Sequence, residues 1–202
     1  MPTSIGIVDY SVGNHGSLVT SLRRMGLRVF ISQKPEELDL ADVLMLPGVG
    51  AFPAAMQSLS QLGLDDYLRL KAAQNKPIIG ICLGMQLLAD ISYEHSPEKG
   101  LGIITGEIKP FEAGKWHIGW NDINFKKSLL KSTDLKDSTF YFNHAFCYEG
   151  PEIFKMAKTR DKNSITAIIR NKKTVGIQFH PEKSQMAGSN LLRNLIYELT
   201  NA

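Results

Sequence analysis

The segment Pro77-Ile78-Ile79-Gly80-Ile81-Cys82-Leu83-Gly84-Met85-Gln86-Leu87-Leu88 constrains this chain more than any other. A β-branched run enters it, apolar residues at helical spacing leave it, and Gly-x-Cys-x-Gly forms the join. A strand that passes straight into a helix is half of a βα unit, and such units build parallel sheets. The preceding sequence repeats this grammar. Strands are predicted over 4–8, 28–31, 43–46 and 78–81, with helical faces between them made by Leu18, Leu22 and Met25, by Met56, Leu59 and Leu62, and by Leu64, Tyr67, Leu68 and Ala72. The expected core is therefore a mostly parallel sheet flanked by helices on both faces. From residue 103 the pattern changes to strands joined by turns, over 103–108, 118–125, 139–142, 165–170 and 174–179, which adds an antiparallel sheet portion. A closing amphipathic helix carries Leu191, Leu192, Leu195, Ile196 and Leu199, with Ser189 or Asn190 as its expected cap, and 93–100 reads as a surface loop.

The join at Cys82 has the form of a nucleophile elbow. Glycines are needed on either side because the tight strand-to-helix turn leaves no room for a Cβ, and the turn lifts the central side chain above the sheet edge. The first amides of the helix favour thiolate there. Taken alone, the motif fits a buried structural cysteine equally well. A second element bears on the choice: Gly176-Ile177-Gln178-Phe179-His180-Pro181-Glu182-Lys183-Ser184 ends a strand in His-Pro-Glu. Pro181 biases His180 toward extended backbone, in which Glu182 projects to the same side as His180. A cysteine nucleophile needs an imidazole within reach and that imidazole needs a carboxylate to orient it, so Cys82, His180 and Glu182 supply nucleophile, base and orienter.

The rest of the composition removes other functions. With 202 residues and 43% hydrophobic content, the chain can bury one sizeable core, and a single domain over 1–202 is expected. The two cysteines, Cys82 and Cys147, show no zinc-like spacing, so neither a disulfide scaffold nor a metal is expected. No apolar run is long enough for a membrane helix and no signal peptide is read at the N-terminus, which gives a cytoplasmic expectation. A net charge of +3 argues against nucleic acid; the stretch 155–173, with seven basic residues and one acidic, reads as a solvated face or a dock for an acidic partner.

Together the motifs resemble those of the class I, triad-type glutamine amidotransferases, whose elbow carries Gly-x-Cys-x-Gly-x-Gln and whose base lies in His-Pro-Glu. The resemblance spans the chain, through Asp9-Tyr10-Ser11-Val12-Gly13-Asn14, Leu46-Pro47-Gly48-Val49-Gly50-Ala51-Phe52, Gly80 to Gln86, Gly119-Trp120-Asn121 and His180 to Ser184. Within the class it is greatest to the glutaminase subunits of imidazole glycerol phosphate synthases, of histidine biosynthesis. It implies a flavodoxin-like α/β fold, glutamine as substrate and no cofactor. It further implies an oxyanion hole from Gly48, Val49 and Gly50 together with Leu83, and glutamine contacts from Gln86, His144, Ala145 and Phe146. Ammonia would pass to a (β/α)8-barrel synthase subunit held in a heterodimer, with Asn14, Trp120, Asn121 and Lys183 at the interface.

Two segments depart from the family pattern. Trp116-His117-Ile118-Gly119-Trp120-Asn121 lacks the usual preceding proline, and Tyr141-Phe142-Asn143-His144-Ala145-Phe146 replaces Tyr-Phe-Val-His-Ser-Tyr. Neither touches the triad, so glutaminase chemistry is still expected; both lie near substrate or partner, so a paralogue that aminates surface sugars is the alternative pathway. A cysteine hydrolase of another type and a non-catalytic binding subunit are the readings from other classes. Nothing reads as a site for the ammonia acceptor, since the chain has neither a phosphate-binding Gly-rich loop nor a dinucleotide fingerprint.

Overall fold

The computed structural model describes residues 2–11, 15–111, 115–126, 135 and 138–201. Strands β1 (Ser4–Val8), β2 (Arg28–Ser32), β3 (Val43–Gly48) and β4 (Ile78–Cys82) alternate with helices α1 (Gly16–Arg24), α2 (Pro35–Leu38), α3 (Phe52–Gln61) and α4 (Leu64–Ala73). The chain continues through α5 (Leu83–Leu87), β5 (Ile91–Ser92), β6 (Glu98–Lys99), β7 (Glu107–Pro110), β8 (His117–Phe125), β9 (Thr139–His144) and β10 (Phe146–Glu149). It ends with β11 (Lys155–Thr159), β12 (Thr166–Asn171), β13 (Thr174–Ile177), a 3-10 turn at Pro181–Lys183 and α6 (Gln185–Asn201).

One sheet of nine strands runs in the order β2-β1-β3-β4-β13-β12-β11-β8-β9, and a small sheet runs β10-β7-β5-β6. Pairing is parallel from β2 to β13 and antiparallel from β13 to β9. Period-two alternation sorts the parallel strands into two cores. Ile5, Ile7, Val43, Met45, Ile79 and Ile81 pack with α1 and α6 on one face, whereas Leu44, Leu46 and Ile78 pack with α3 and α4 on the other. Helices therefore cover both faces, as the sequence predicts.

Although β9 lies four places from β13 in the sheet, the amide of His180, three residues past β13, donates to the Tyr141 carbonyl on β9 at 2.9 Å. The antiparallel half thus curls back on itself around Phe140, Phe142 and Phe179, whose rings meet with centroids 4.4 and 5.4 Å from Phe179. This curl carries β9 to the top of β4.

Several boundaries differ from the sequence reading. The strand expected over 103–108 is found at Glu107–Pro110, because the amides of Ile103 and Ile104 both go to the Leu88 carbonyl and tie that loop to the end of α5. Helix α6 starts at Gln185, with the Gly188 amide bonding the Ser184 carbonyl, so Ser189 and Asn190 are inside it and cap nothing. Strands β10 and β11 were not legible. In the basic stretch, Lys155 and Lys158 both bond Glu152 at 2.9 and 2.8 Å, and Arg170 bonds Glu198 at 2.7 Å, so part of the excess is met within the chain. Among the described residues no helix is long and apolar enough to cross a membrane, and no group of three or more His, Cys, Asp or Glu could hold a metal.

Candidate active site

Cys82 ends β4 and precedes α5 with φ of 54° and ψ of −110°, a conformation a non-glycine residue holds only when its surroundings impose it. The two glycines around it are required by space. A Cβ on Gly80 would lie 2.5 Å from the Gly84 carbonyl oxygen, and one on Gly84 would collide with the Leu46 carbonyl of the adjacent strand. The elbow is thereby pressed against β3, and Cys82 is left 7% exposed at the sheet's end.

His180 is buried and in hydrogen-bond contact with Cys82. Its Nδ1 lies 2.8 Å from Glu182 Oε1, which leaves Nε2 to the sulfur. Burial opposes a charge on this ring, but the hydrogen bonds to Cys82 and Glu182 and the attraction of both groups outweigh it, raising His180 to about 9. At neutral pH the ring is an imidazolium, a proton donor held against the sulfur. Ser184 locks this arrangement: its hydroxyl donates to the His180 carbonyl at 2.6 Å and accepts from the Tyr141 amide at 3.0 Å.

Gly48 pairs with Cys82 across β3 and β4, so the Gly48-Val49-Gly50 segment leaves the sheet beside the sulfur. Tyr10 supports it from beneath, its hydroxyl donating to the Pro47 carbonyl at 2.7 Å and occupying the space a Cβ on Gly48 would need. Burial, and then the charge of Cys82, push the Tyr10 phenol above its ordinary value, so it stays a neutral donor. Gln86, one turn beyond Cys82, donates through Nε2 to the Phe146 carbonyl at 3.0 Å and lies 3.4 Å from Gln178 Oε1. Cys82 Sγ sits 3.9 Å from the Asn143 carbonyl, so β9 forms the opposite wall.

The model for "Glutamine amidotransferase class-I" matches residues 6–199 of this chain. The chain belongs to the class I glutamine amidotransferases. Among curated members of this family, the imidazole glycerol phosphate synthase subunit HisH of Shouchella clausii is 39% identical over 94% of this chain and 95% of that protein. Subunit HisH 1 of Campylobacter jejuni is 40% identical over 95% of this chain and 98% of its own. A solved structure of PurLQS from Thermotoga maritima superposes with a TM-score of 0.78 at 18% identity, covering 98% of this chain and all of the other, which speaks to the fold.

In this amidotransferase the remaining expected positions fall in two groups. His144, Ala145 and Phe146 end β9 and open β10 beside Gln86. Trp120 and Lys183 share an exposed surface, with Trp120 edge-on to Tyr141 at 5.8 Å and the Lys183 ammonium 5.8 Å from the same ring. Trp116, just before β8, and Ile118 and Trp120 on it are exposed at 64, 60 and 49%. Asn121, which the resemblance puts with Trp120, turns to the other face of β8, where its amide meets His117 Nε2 at 2.6 Å and Asp161 Oδ2 at 3.4 Å. Asn14 lies outside the described residues. Cys147 is a poor nucleophile, since burial and then the negative charges of Glu149 and Asp161 push its thiol up to about 12. Sequence reasoning missed Tyr10, Ser184 and His117. All three lie inside quoted segments, but their roles depend on contacts with residues 37, 43 and 27 positions away.

Proposed function

We propose that this protein hydrolyses glutamine to glutamate and ammonia and delivers the ammonia to a (β/α)8-barrel synthase subunit that makes imidazole glycerol phosphate in histidine biosynthesis. The observation that carries this is the contact of Cys82 with the charged His180–Glu182 pair at a strand-to-helix elbow. In this reading residues 1–202 act as one catalytic unit in the cytoplasm. Cys82 Sγ attacks the side-chain carboxamide carbon of glutamine, and amides of the Gly48–Gly50 segment and of Leu83 hold the oxyanion. His180 protonates the departing ammonia, leaving the glutamyl group as a thioester. The now neutral His180 takes a proton from water, which attacks the thioester; glutamate and the Cys82 sulfur are released with the ring again protonated, which restores the starting pair. Gln86, its nitrogen already engaged, offers Oε1 to a substrate N–H, with His144, Ala145 and Phe146 forming the adjacent wall.

The exposed Trp116, Ile118 and Trp120, flanked by Lys183, supply an aromatic anchor for the synthase subunit. The relatives' names favour the histidine pathway over the surface-sugar alternative. With the sulfur almost closed off, the isolated chain is expected to be a poor glutaminase. The test is glutamate release by the chain mixed with a histidine-pathway barrel subunit. Activity should appear in the mixture and fall by at least about 10³-fold in Cys82→Ser. Failure of a glutamine-analogue electrophile to label Cys82 in the complex would overturn the reading.

A further inference from the structure

Across β8 and β9, His117 and His144 are directly opposed, and both rings are buried. His117 Nδ1 lies 2.9 Å from His144 Nε2, with the rings edge to face at 4.9 Å between centroids. His144 Nδ1 lies 2.8 Å from the Phe146 carbonyl, and at the other end Asn121 Nδ2 lies 2.6 Å from His117 Nε2. The end groups fix the direction of every proton. A carbonyl only accepts, so His144 carries its hydrogen on Nδ1 and accepts on Nε2. His117 must then donate from Nδ1 and accept on Nε2, where an amide N–H meets it. Asn121 directs the same amide nitrogen toward the Asp161 carboxylate, whose other oxygen receives the Asn163 and Ser164 amides at 3.1 and 3.0 Å and so anchors the loop.

Both rings are held neutral, as this polarity requires. Burial pulls His144 down to about 3, aided by the neighbouring His117 and His180, and burial likewise lowers His117. The chain ends on an acceptor that Gln86 also uses, since Gln86 Nε2 donates to the same Phe146 carbonyl. Moreover, β8 presents Ile118 and Trp120 on one face and His117 and Asn121 on the other.

We propose that His117 is a positioning residue for glutamine hydrolysis: through His144 it fixes the Phe146 carbonyl and hence Gln86, tying the glutamine pocket to the strand that bears the exposed Trp120. The proposal rests on the glutaminase reading above. His117→Phe keeps an aromatic ring beside Phe111 and Phe142 but leaves His144 Nε2 without its donor, whereas His117→Asn can restore a donor near Nδ1. In the complex with the synthase subunit, His117→Phe is expected to raise the KM for glutamine about tenfold with kcat changed less than about threefold, the scale of one buried acceptor left unpaired. His117→Asn should recover most of that loss.

An unchanged KM in His117→Phe, or equal losses in both variants that track their melting temperatures, overturns the proposal. Imidazole nitrogen-15 spectra of the wild-type chain test the proton arrangement without activity. Both rings should be neutral Nδ1–H tautomers at pH 7, and an Nε2–H tautomer at His144 overturns the relay. A wild-type complex that is inert toward glutamine, with these spectra as expected, would remove the glutaminase reading and, with it, the positioning role.

Discussion

The two halves of the large sheet solve the same packing problem differently. In the parallel half β1, β3 and β4 are buried along their whole length, and the elbow glycines sit where another backbone already lies. In the antiparallel half β8 buries His117 and Ile123 but leaves Ile118 and Trp120 to solvent, and Gly119 has nothing within 4 Å of where a Cβ would stand. A sheet covered on both faces can hold a strained nucleophile still, whereas a sheet with one open face can receive a partner. The proposed reacting groups lie on the seam, with the Cys82 sulfur from one half and the β9 wall from the other.

The most severe test of that division acts on the seam. Glu182→Gln should leave the fold intact and lower kcat by about 10²- to 10⁴-fold, read by steady-state glutamate release from the complex. It should also move a pH effect. Because His180 is raised to about 9, its contribution to stability is fully present below the unfolded-state value near 6.5 and is lost as pH rises through about 9. Without the carboxylate the contribution should be smaller and its loss complete at lower pH, visible in urea denaturation between about pH 6 and 10.

A pair of glycine substitutions compares the halves directly. Gly84→Ala, which forces a methyl group into the Leu46 carbonyl, should destabilise the chain by about 3 kcal/mol. Gly119→Ala, strained only by its φ of 129°, should cost about 1 kcal/mol. Equal effects in denaturant titrations would mean that the parallel half is no tighter than the other. The smallest folding effect is expected at Trp120→Ala, about 0.5 kcal/mol from the lost Tyr141 edge contact. Its effect belongs to association: the Kd for the synthase subunit, measured calorimetrically, should weaken about 30-fold.

What could be read from the sequence follows the same division. The elbow was legible because its requirement is local: strand, glycine, nucleophile, glycine and helix are consecutive. Glu182 could be assigned to His180 because Pro181 fixes the backbone between them. By contrast, β11 interleaves lysines with apolar residues and pairs with strands on both sides, a pattern that reads as loop until its neighbours are known. His117 looked like an ordinary strand residue, since its partner lies 27 positions away and only register brings them together. The orientation of Asn121 was equally hidden, because a motif gives a position and the pleat decides the face.

Strand β9 ends the large sheet, and an end strand is where folded chains are prone to zip onto one another. Here its outward-facing backbone is occupied at Tyr141, whose amide and carbonyl are taken by Ser184 and His180, while the Asn143 carbonyl faces Cys82. The His-Pro-Glu segment therefore doubles as the seal of that border. A variant that loosens the His-Pro-Glu turn should lose solubility along with activity, and the same few backbone hydrogen bonds link turnover to the avoidance of fibrils.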